Sequence, residues 1–322
     1  MFIKERWSSN SNPKILLVAN EYFSRGSWEI SLIEFLGDEY DTFDFVICKN
    51  KYALLKHFGK AHACFLFGYN SVMTHYGNNK KLLYFPLIGL DFLNNKSIPP
   101  GFIIEKPPPY SAKAIAEYCL ASSILITRNL QFALFSQKVR KWDQSGVLRE
   151  TFSTISDKTI GVLGVGNVGN KVAEIFKKVN CNVLGCDKLI RSDSGFIDKW
   201  FSIDELSDFL RLSDIIIVTL PLTNETIGII GKDELEFIGP DSYLINVSRG
   251  KIVNEKELVY ALKKRIIKGA VLDVFSLEPL SIFSKFYKLN NIIITPHVAG
   301  NINLFIAEIQ KDFINKTLKF LS

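Results

Sequence analysis

The chain has 322 residues, 47% of them hydrophobic, with 39 Lys and Arg against 33 Asp and Glu and a formal net charge of +6. That length suggests two domains of ordinary size, and the composition is that of a soluble globular protein. The basic residues are spread along the chain, so no nucleic-acid partner is indicated, and no apolar run has membrane-spanning length. The five cysteines, Cys48, Cys64, Cys119, Cys181 and Cys186, form no CxxC pair and mostly sit in apolar runs. Buried free thiols in a reducing compartment are expected, with no metal site. The opening MFIKERWSSNSNPK lacks the apolar core of a signal peptide, so a cytoplasmic protein is expected.

In chain order, KILLVAN at residues 14–20 reads as a first buried strand. Helical spacing follows at 28–35, a strand at 43–48, a short helix at 52–58 and strands at 63–67, 82–88 and 102–105. Strands alternating with helical patterns imply βαβ units on a parallel sheet. From 111 to 139 the chain has no Gly or Pro, opens on a candidate N-cap at Ser111 and is broadly apolar. Such a helix is too long for one small domain, and a break near 127–129 is expected. It would bridge two units, and its apolar breadth suits either core packing or a subunit interface. Residues 140–158 read as loop.

The stretch at 159–187, TIGVLGVGNVGNKVAEIFKKVNCNVLGCD, combines strand, glycine turn, amphipathic helix, second strand and a closing acid. Gly164 permits the tight turn, Gly166 admits a pyrophosphate close to the backbone, and Gly169 lets the helix pack on the strand. Asp187, eighteen residues after Gly169, stands where a carboxylate binds the adenosine ribose hydroxyls. A carboxylate there repels a 2′-phosphate, which favours NAD over NADP, although Lys188 and Arg191 follow closely. The pattern continues with a helix at 203–210, strands at 214–220 and 242–247, a helix at 255–264 and strands at 270–274 and 291–295. That alternation calls for a Rossmann-type doubly wound sheet, whose ligands lie beyond the carboxyl ends of the strands.

Those ends carry Leu220 and Pro221, then Val247, Ser248 and Arg249, then Asp273 and Glu278, then His297 and Gly300. A guanidinium, a carboxylate and an imidazole thus emerge on the cofactor side of one sheet. Histidine gives or takes a proton near neutral pH, as hydride transfer to or from a carbinol carbon requires. A carboxylate beside it fixes the ring tautomer, and a planar guanidinium grips a substrate carboxylate through two hydrogen bonds. His57, His62 and His75 have no such partners in sequence and read as structural or surface residues.

The segment from about residue 142 to 300 resembles the D-isomer-specific 2-hydroxyacid dehydrogenases, through ISDKTIGVLGVGNVGNKVA, LPLTNETIGIIG, LINVSRGKIVNEKELVYALKK, GAVLDVFSLEPL and NIIITPHVAG. The first hundred residues resemble the family only through GLD at 89–91, and AIAE follows at 114–117. The resemblance implies that Arg249 binds the substrate carboxylate, Glu278 pairs with the catalytic histidine and His297 is the general acid/base. It implies that Asp273 positions the nicotinamide amide, that Asn167 and Val168 offer turn amides to the pyrophosphate, and that Asp187 takes the ribose. Thr226 and the strand-end residues Leu220, Pro221, Val247, Ser248 and Gly300 complete the expected NAD site. It also implies a discontinuous, flavodoxin-like α/β substrate domain at residues 1–112 and 301–322, an NAD-binding domain at 113–300, and a homodimer. Phe67, Gly68 and Tyr69 stand where relatives place a substrate-carboxylate loop. The chain departs from the family at 106–111, KPPPYS, where relatives often have Asn and a Pro-Gly pair. A proline there removes a backbone donor.

The expected activity is NAD-dependent interconversion of a small 2-keto acid and its D-2-hydroxy acid. The alternatives are a phosphite- or phosphorylated-hydroxyacid dehydrogenase, with Lys106 or Lys113 as extra cations, or an NAD-sensing, corepressor-like binding protein. Formate oxidation is disfavoured, because relatives with that activity have glutamine where Glu278 stands. The chain ends too soon for the added C-terminal domain of regulated phosphoglycerate-type relatives.

Overall fold

Buried apolar runs four to six residues long have no polar face to show to water, so they assemble into parallel sheets covered on both faces. The computed structural model describes residues 15–20, 43–48, 50–69, 71–76, 80–87, 89–93, 96–147, 153–190 and 195–322. The chain divides into two compact units, Met1–Tyr110 with Ile302–Ser322, and Ser111–Asn301. The helix expected at 28–35 lies outside the described residues.

The first unit carries β1 (Ile15–Asn20), β2 (Phe43–Cys48), β3 (Ala63–Phe65), β4 (Lys81–Tyr84) and β5 (Phe102–Glu105). They are all parallel in the order β2-β1-β3-β4-β5, which is the flavodoxin-like order. Period-two alternation splits the side chains between two cores. Ala63, Phe65, Leu82 and Tyr84 face the C-terminal helix (Ile306–Leu321) with Ile309, Phe313 and Ile314. Cys64, Leu66, Leu83 and Phe85 face the other way, onto Leu54 and Phe58 of α1 (Lys51–Phe58). The Tyr84 hydroxyl donates to Asp312 Oδ2 at 2.7 Å, and Lys316 bridges Asp312 at 3.0 Å and Glu105 at 3.3 Å. The strand expected at 82–88 stops at Tyr84, and β3 stops at Phe65.

Lys81, only 1% exposed, opens β4. Its ammonium donates to the Gly59 carbonyl at 2.8 Å and the Ala61 carbonyl at 2.9 Å, and lies 5.8 Å from the Phe58 ring centre. It thereby caps the carbonyl end of α1, where a cation is favoured. Burial pushes its pKa down, so the charge is held by these contacts and not by water. Lys81→Met keeps the stem and strands the buried Ala61 carbonyl and the half-buried Gly59 carbonyl. We expect a loss of about 2 kcal/mol in the denaturant unfolding of this unit, and an unchanged midpoint would contradict the role.

The second unit holds α2 (Ala112–Thr127), α3 (Leu130–Lys138), α4 (Gln144–Val147), β6 (Thr159–Leu163), α5 (Asn167–Lys178), β7 (Asn182–Cys186) and β8 (Lys199–Phe201). It continues with α6 (Leu206–Arg211), β9 (Ile215–Val218), α7 (Lys232–Ile238), β10 (Tyr243–Asn246), α8 (Glu255–Lys264), β11 (Gly269–Leu272) and β12 (Ile292–Ile294). The strands lie in the order β12-β11-β10-β9-β6-β7-β8, all parallel. Strand order reverses between β6 and β9, the doubly wound switch point beyond which ligands bind.

The long apolar segment breaks where expected: Asn129, with φ 47°, separates α2 from α3. Ser111 holds the N-cap place of α2, but its side chain caps nothing; only its carbonyl joins the helix, accepting from Ile115 N at 3.0 Å. Several elements were not anticipated from sequence. β8 is three residues long, too short for a period, and α7 is a mostly polar segment closed by Glu234 accepting from Gly231 N at 2.9 Å. The segment 140–158 contains α4 and a 3-10 turn at Ile155–Asp157 instead of being loop throughout. All five cysteines are buried and unpaired, and burial pushes Cys64 and Cys186 up to about 12. Such thiols stay protonated and unreactive. Among the described residues no helix is long and apolar enough to cross a membrane.

Candidate active site

The carboxyl ends of six adjacent strands carry one expected residue or loop each. At the end of β6, Gly164 has φ +94°, and a Cβ there would fall 2.8 Å from Leu220 N. A Cβ on Gly169 would fall 2.1 Å from the Gly164 carbonyl oxygen and 2.9 Å from Thr219 Oγ1. Glycine is required at both, because α5 starts in backbone contact with the turn. Thr219, after β9, donates to the Gly164 carbonyl at 2.5 Å and closes the turn from below. A Cβ at Gly166 would meet nothing within 4 Å, and no side chain caps α5. Space in front of an uncapped helix N-terminus, with the amides of Asn167 and Val168 in its first turn, is the cradle that a pyrophosphate fits.

Asp187 follows β7. Its Oδ2 accepts from Val165 N at 2.7 Å and its Oδ1 from Leu189 N at 3.2 Å. The carboxylate is therefore held rigidly beside the glycine turn, with acceptor capacity left on each oxygen.

After β10, the buried Asn246 braces the Arg249 turn from both sides. Its Oδ1 accepts from Ser248 N at 3.1 Å, and its Nδ2 donates to the Arg249 carbonyl at 3.0 Å. Ser248 Oγ donates to the Leu220 carbonyl, tying the ends of β9 and β10 together. Arg249 Nη1 donates to the Ser248 carbonyl at 2.8 Å. A Cβ on the next residue, Gly250, would sit 1.9 Å from the Phe275 carbonyl carbon, so the arginine turn and the Glu278 loop touch backbone to backbone. Glu255 Oε1, at the start of α8, accepts from Ser276 N at 2.6 Å and fixes that loop further.

Glu278 divides its oxygens. Oε1 accepts from Phe275 N at 2.9 Å, and Oε2 lies 2.7 Å from His297 Nδ1. With the carboxylate on Nδ1, that nitrogen carries the ring proton and Nε2 is the one left for chemistry. His297 itself has φ 55°, a left-handed backbone uncommon outside glycine. Its amide donates to the Asp273 carbonyl at 2.8 Å. The Asp273 carboxylate, in a residue 1% exposed, accepts from Thr295 Oγ1 at 2.6 Å and from the amides of Val298 and Ala299 at 2.9 Å each. Residues 295–299 thus wrap around one aspartate. Three donors on a carboxylate that takes about four leave one acceptor site for a nicotinamide amide. In this structure Asp273 mainly holds the histidine loop.

Thr226 likewise braces its own turn, accepting from Thr223 N at 2.8 Å and donating to the Pro221 carbonyl at 2.6 Å. Leu220 and Val247 are buried under the sheet edge, and Gly300 packs on Ile115, 3.3 Å from where its Cβ would stand. Phe67, Gly68 and Tyr69 follow β3 in the other unit. There Phe67 meets Phe65 edge-on at 5.8 Å, Gly68 opens on free space, and the Tyr69 hydroxyl donates to the Ser97 carbonyl at 3.4 Å.

Residues 120–299, which include the glycine turn and the histidine–glutamate pair, match the D-isomer specific 2-hydroxyacid dehydrogenase NAD binding domain. The chain belongs to this family. It is 32% identical over 247 residues to a D-3-phosphoglycerate dehydrogenase of Archaeoglobus fulgidus, a match covering 74% of this chain and 45% of that protein. It is 30% identical over 224 residues to a glyoxylate reductase of Thermofilum pendens, covering 69% and 66%. The chain therefore spans less than two thirds of either relative. A solved D-isomer specific 2-hydroxyacid dehydrogenase of Xanthobacter autotrophicus Py2, in complex with NADPH and MES, has the same fold at a TM-score of 0.78. That match is 22% identical and covers 96% of this chain and 95% of the other.

Asn246, Thr219, Thr295 and Glu255 escaped the sequence reading. Each is an ordinary polar residue at a strand or helix end, and only the partner across the sheet edge reveals its work. Gly169→Ala places a methyl carbon against the Gly164 carbonyl. We expect NADH affinity, read by fluorescence titration, to fall at least about tenfold, which corresponds to about 1.4 kcal/mol. Unchanged binding would show that the turn tolerates displacement.

Proposed function

We propose that the chain is a dehydrogenase or reductase that interconverts a small 2-keto acid and its D-2-hydroxy acid with NAD(H). The observation that carries this reading is the 2.7 Å contact between His297 Nδ1 and Glu278 Oε2, on the same sheet edge as the glycine turn. When bound, the nicotinamide supplies or takes the hydride at the substrate carbon. The glycine turn, the amides of Asn167 and Val168 and the carboxylate of Asp187 would hold the dinucleotide, and Leu220, Pro221, Val247 and Gly300 would line its path.

In the direction of reduction, Arg249 grips the substrate carboxylate with two of its five N–H donors and polarises the adjacent carbonyl. His297 gives its Nε2 proton to the carbonyl oxygen as charge develops there, while Glu278 stabilises the imidazolium and keeps Nδ1 protonated. In the oxidative direction Nε2 takes the hydroxyl proton. Phe67, Gly68 and Tyr69 are proposed as further substrate contacts on the strength of the resemblance alone. His297→Ala should lower turnover about a thousandfold with glyoxylate and NADH, or with D-3-phosphoglycerate and NAD⁺, whichever the wild type accepts. Undiminished turnover would remove the acid–base assignment.

NAD is proposed over NADP because Asp187 is fixed beside the glycine turn by two backbone amides, where its charge opposes a 2′-phosphate. Asp187→Ala should shift the ratio of kcat/KM values toward NADPH by about tenfold or more. An unchanged ratio would place the discrimination elsewhere.

A homodimer is proposed through α3 and the residues after it. Leu134, Phe135 and Val139 are exposed there beside Trp142, which is 95% exposed, and Phe135 also lines a cavity of about 720 Å³ with Phe132 and Arg265. Apolar exposure of that kind marks an interaction surface. Phe135→Glu should convert the dimer to monomer in light scattering, and a wild-type monomer would rule the dimer out. The five free thiols support a reducing, cytoplasmic location.

A further inference from the structure

We propose that Tyr118 is a positioning residue for His297, acting through Thr295 and Asp273 from the middle of α2. The proposal rests on the assignment of His297 as the acid–base group.

The Tyr118 hydroxyl lies 2.6 Å from Thr295 Oγ1, and Thr295 Oγ1 lies 2.6 Å from Asp273 Oδ1. Threonine has one hydroxyl proton, and a carboxylate oxygen only accepts. The Thr295 proton therefore goes to Asp273, and the phenol must donate to Thr295. The direction of the chain, Tyr118 to Thr295 to Asp273, follows from that single proton. Burial pushes the Tyr118 phenol up, which keeps it a donor throughout the working range.

Asp273 is the hub of the histidine loop. Its carbonyl takes the amide of His297, and its carboxylate takes the amides of Val298 and Ala299. The loop holds His297 at φ 55°, a costly conformation for a residue with a Cβ. That cost is sustained only while the surrounding hydrogen bonds fix the loop. Tyr118, itself hydrogen-bonded to Ser122, extends that set beyond Thr295. It comes from a different element, α2, which touches the same loop again where Gly300 packs on Ile115. Without the phenol hydroxyl, Thr295 keeps its proton on Asp273 but its oxygen loses its donor. The side chain is then held at one point instead of two, and the His297 ring drifts from its 2.7 Å contact with Glu278. A displacement well under 1 Å is enough to slow proton transfer about tenfold. The hydrogen bonds of Tyr118 go to Thr295 and Ser122, and none goes to the glycine turn or Asp187, so dinucleotide affinity should not change.

Tyr118→Phe, Thr295→Ser and the wild type separate this role from general packing. In Tyr118→Phe we expect kcat about tenfold lower, NADH affinity and thermal midpoint unchanged, and amide hydrogen exchange at Val298 and Ala299 about tenfold faster. Thr295→Ser keeps the hydroxyl relay and should keep the slow exchange of the Val298 and Ala299 amides. Unchanged exchange at those two amides in Tyr118→Phe overturns the proposal, as does a fall in NADH affinity or thermal midpoint parallel to that in kcat. Failure of the functional reading shows differently: wild-type protein inactive on every 2-keto acid offered, or His297→Ala still active. In that event the exchange readout alone decides whether Tyr118 holds the loop.

Discussion

A buried carboxylate has to be satisfied, and the way Asp273 is satisfied shapes the candidate active site. An unpaired charge at 1% exposure would cost several kcal/mol, so the chain around it has few alternatives. The donors come from residues 295–299, the stretch that carries His297. The loop is therefore defined by what Asp273 needs, and the left-handed backbone of His297 is the local strain that the arrangement carries. Asn246 does the same for the Arg249 turn with a neutral amide, and Glu278 spends one oxygen on its own loop before offering the other to the histidine. Each proposed chemical group is held by an aspartate, asparagine or glutamate that bonds the backbone.

These loops can cooperate because the seven strands are parallel and in register, which brings their carboxyl ends to one edge. At the switch point between β6 and β9 the edge opens, and the glycine turn occupies the opening. Close backbone approach replaces side-chain packing at two places: Gly169 against the Gly164 carbonyl, and Gly250 against the Phe275 backbone. The first lets α5 aim its N-terminus along the opening. The second fuses the arginine turn to the glutamate loop, so that Arg249 and Glu278 are placed by one rigid contact.

The other unit is organised by a different constraint. Its five-stranded sheet is apolar on both faces, and one face is covered by a helix from the far end of the chain. Tyr84, Asp312, Lys316 and Glu105 tie that helix to the sheet through hydrogen bonds and ion pairs across more than two hundred residues of sequence. Lys81 closes the opposite face by capping α1.

The fold class, the break of the long helix near Asn129 and the glycine turn with Asp187 were legible in the amino-acid order. All three depend on local signals: the period of apolar residues, the loss of that period, and glycines at fixed spacing. The short β8 and the polar α7 were not legible, since three residues carry no period and a mostly polar helix that buries only Leu235 and Ile238 shows too short an apolar stripe to read. Arg249, Glu278 and His297 could be named from their strand ends, and Phe67 to Tyr69 only from resemblance. By itself the sequence determined which residue types reach the sheet edge, because strand length and turn position are encoded nearby. Only the tertiary structure decided which donor each buried polar group receives: Asp273 from the histidine loop, Thr295 from Tyr118, the Arg249 turn from Asn246. Those partners are set by strand register and helix packing between residues far apart in the chain, and no local pattern encodes them.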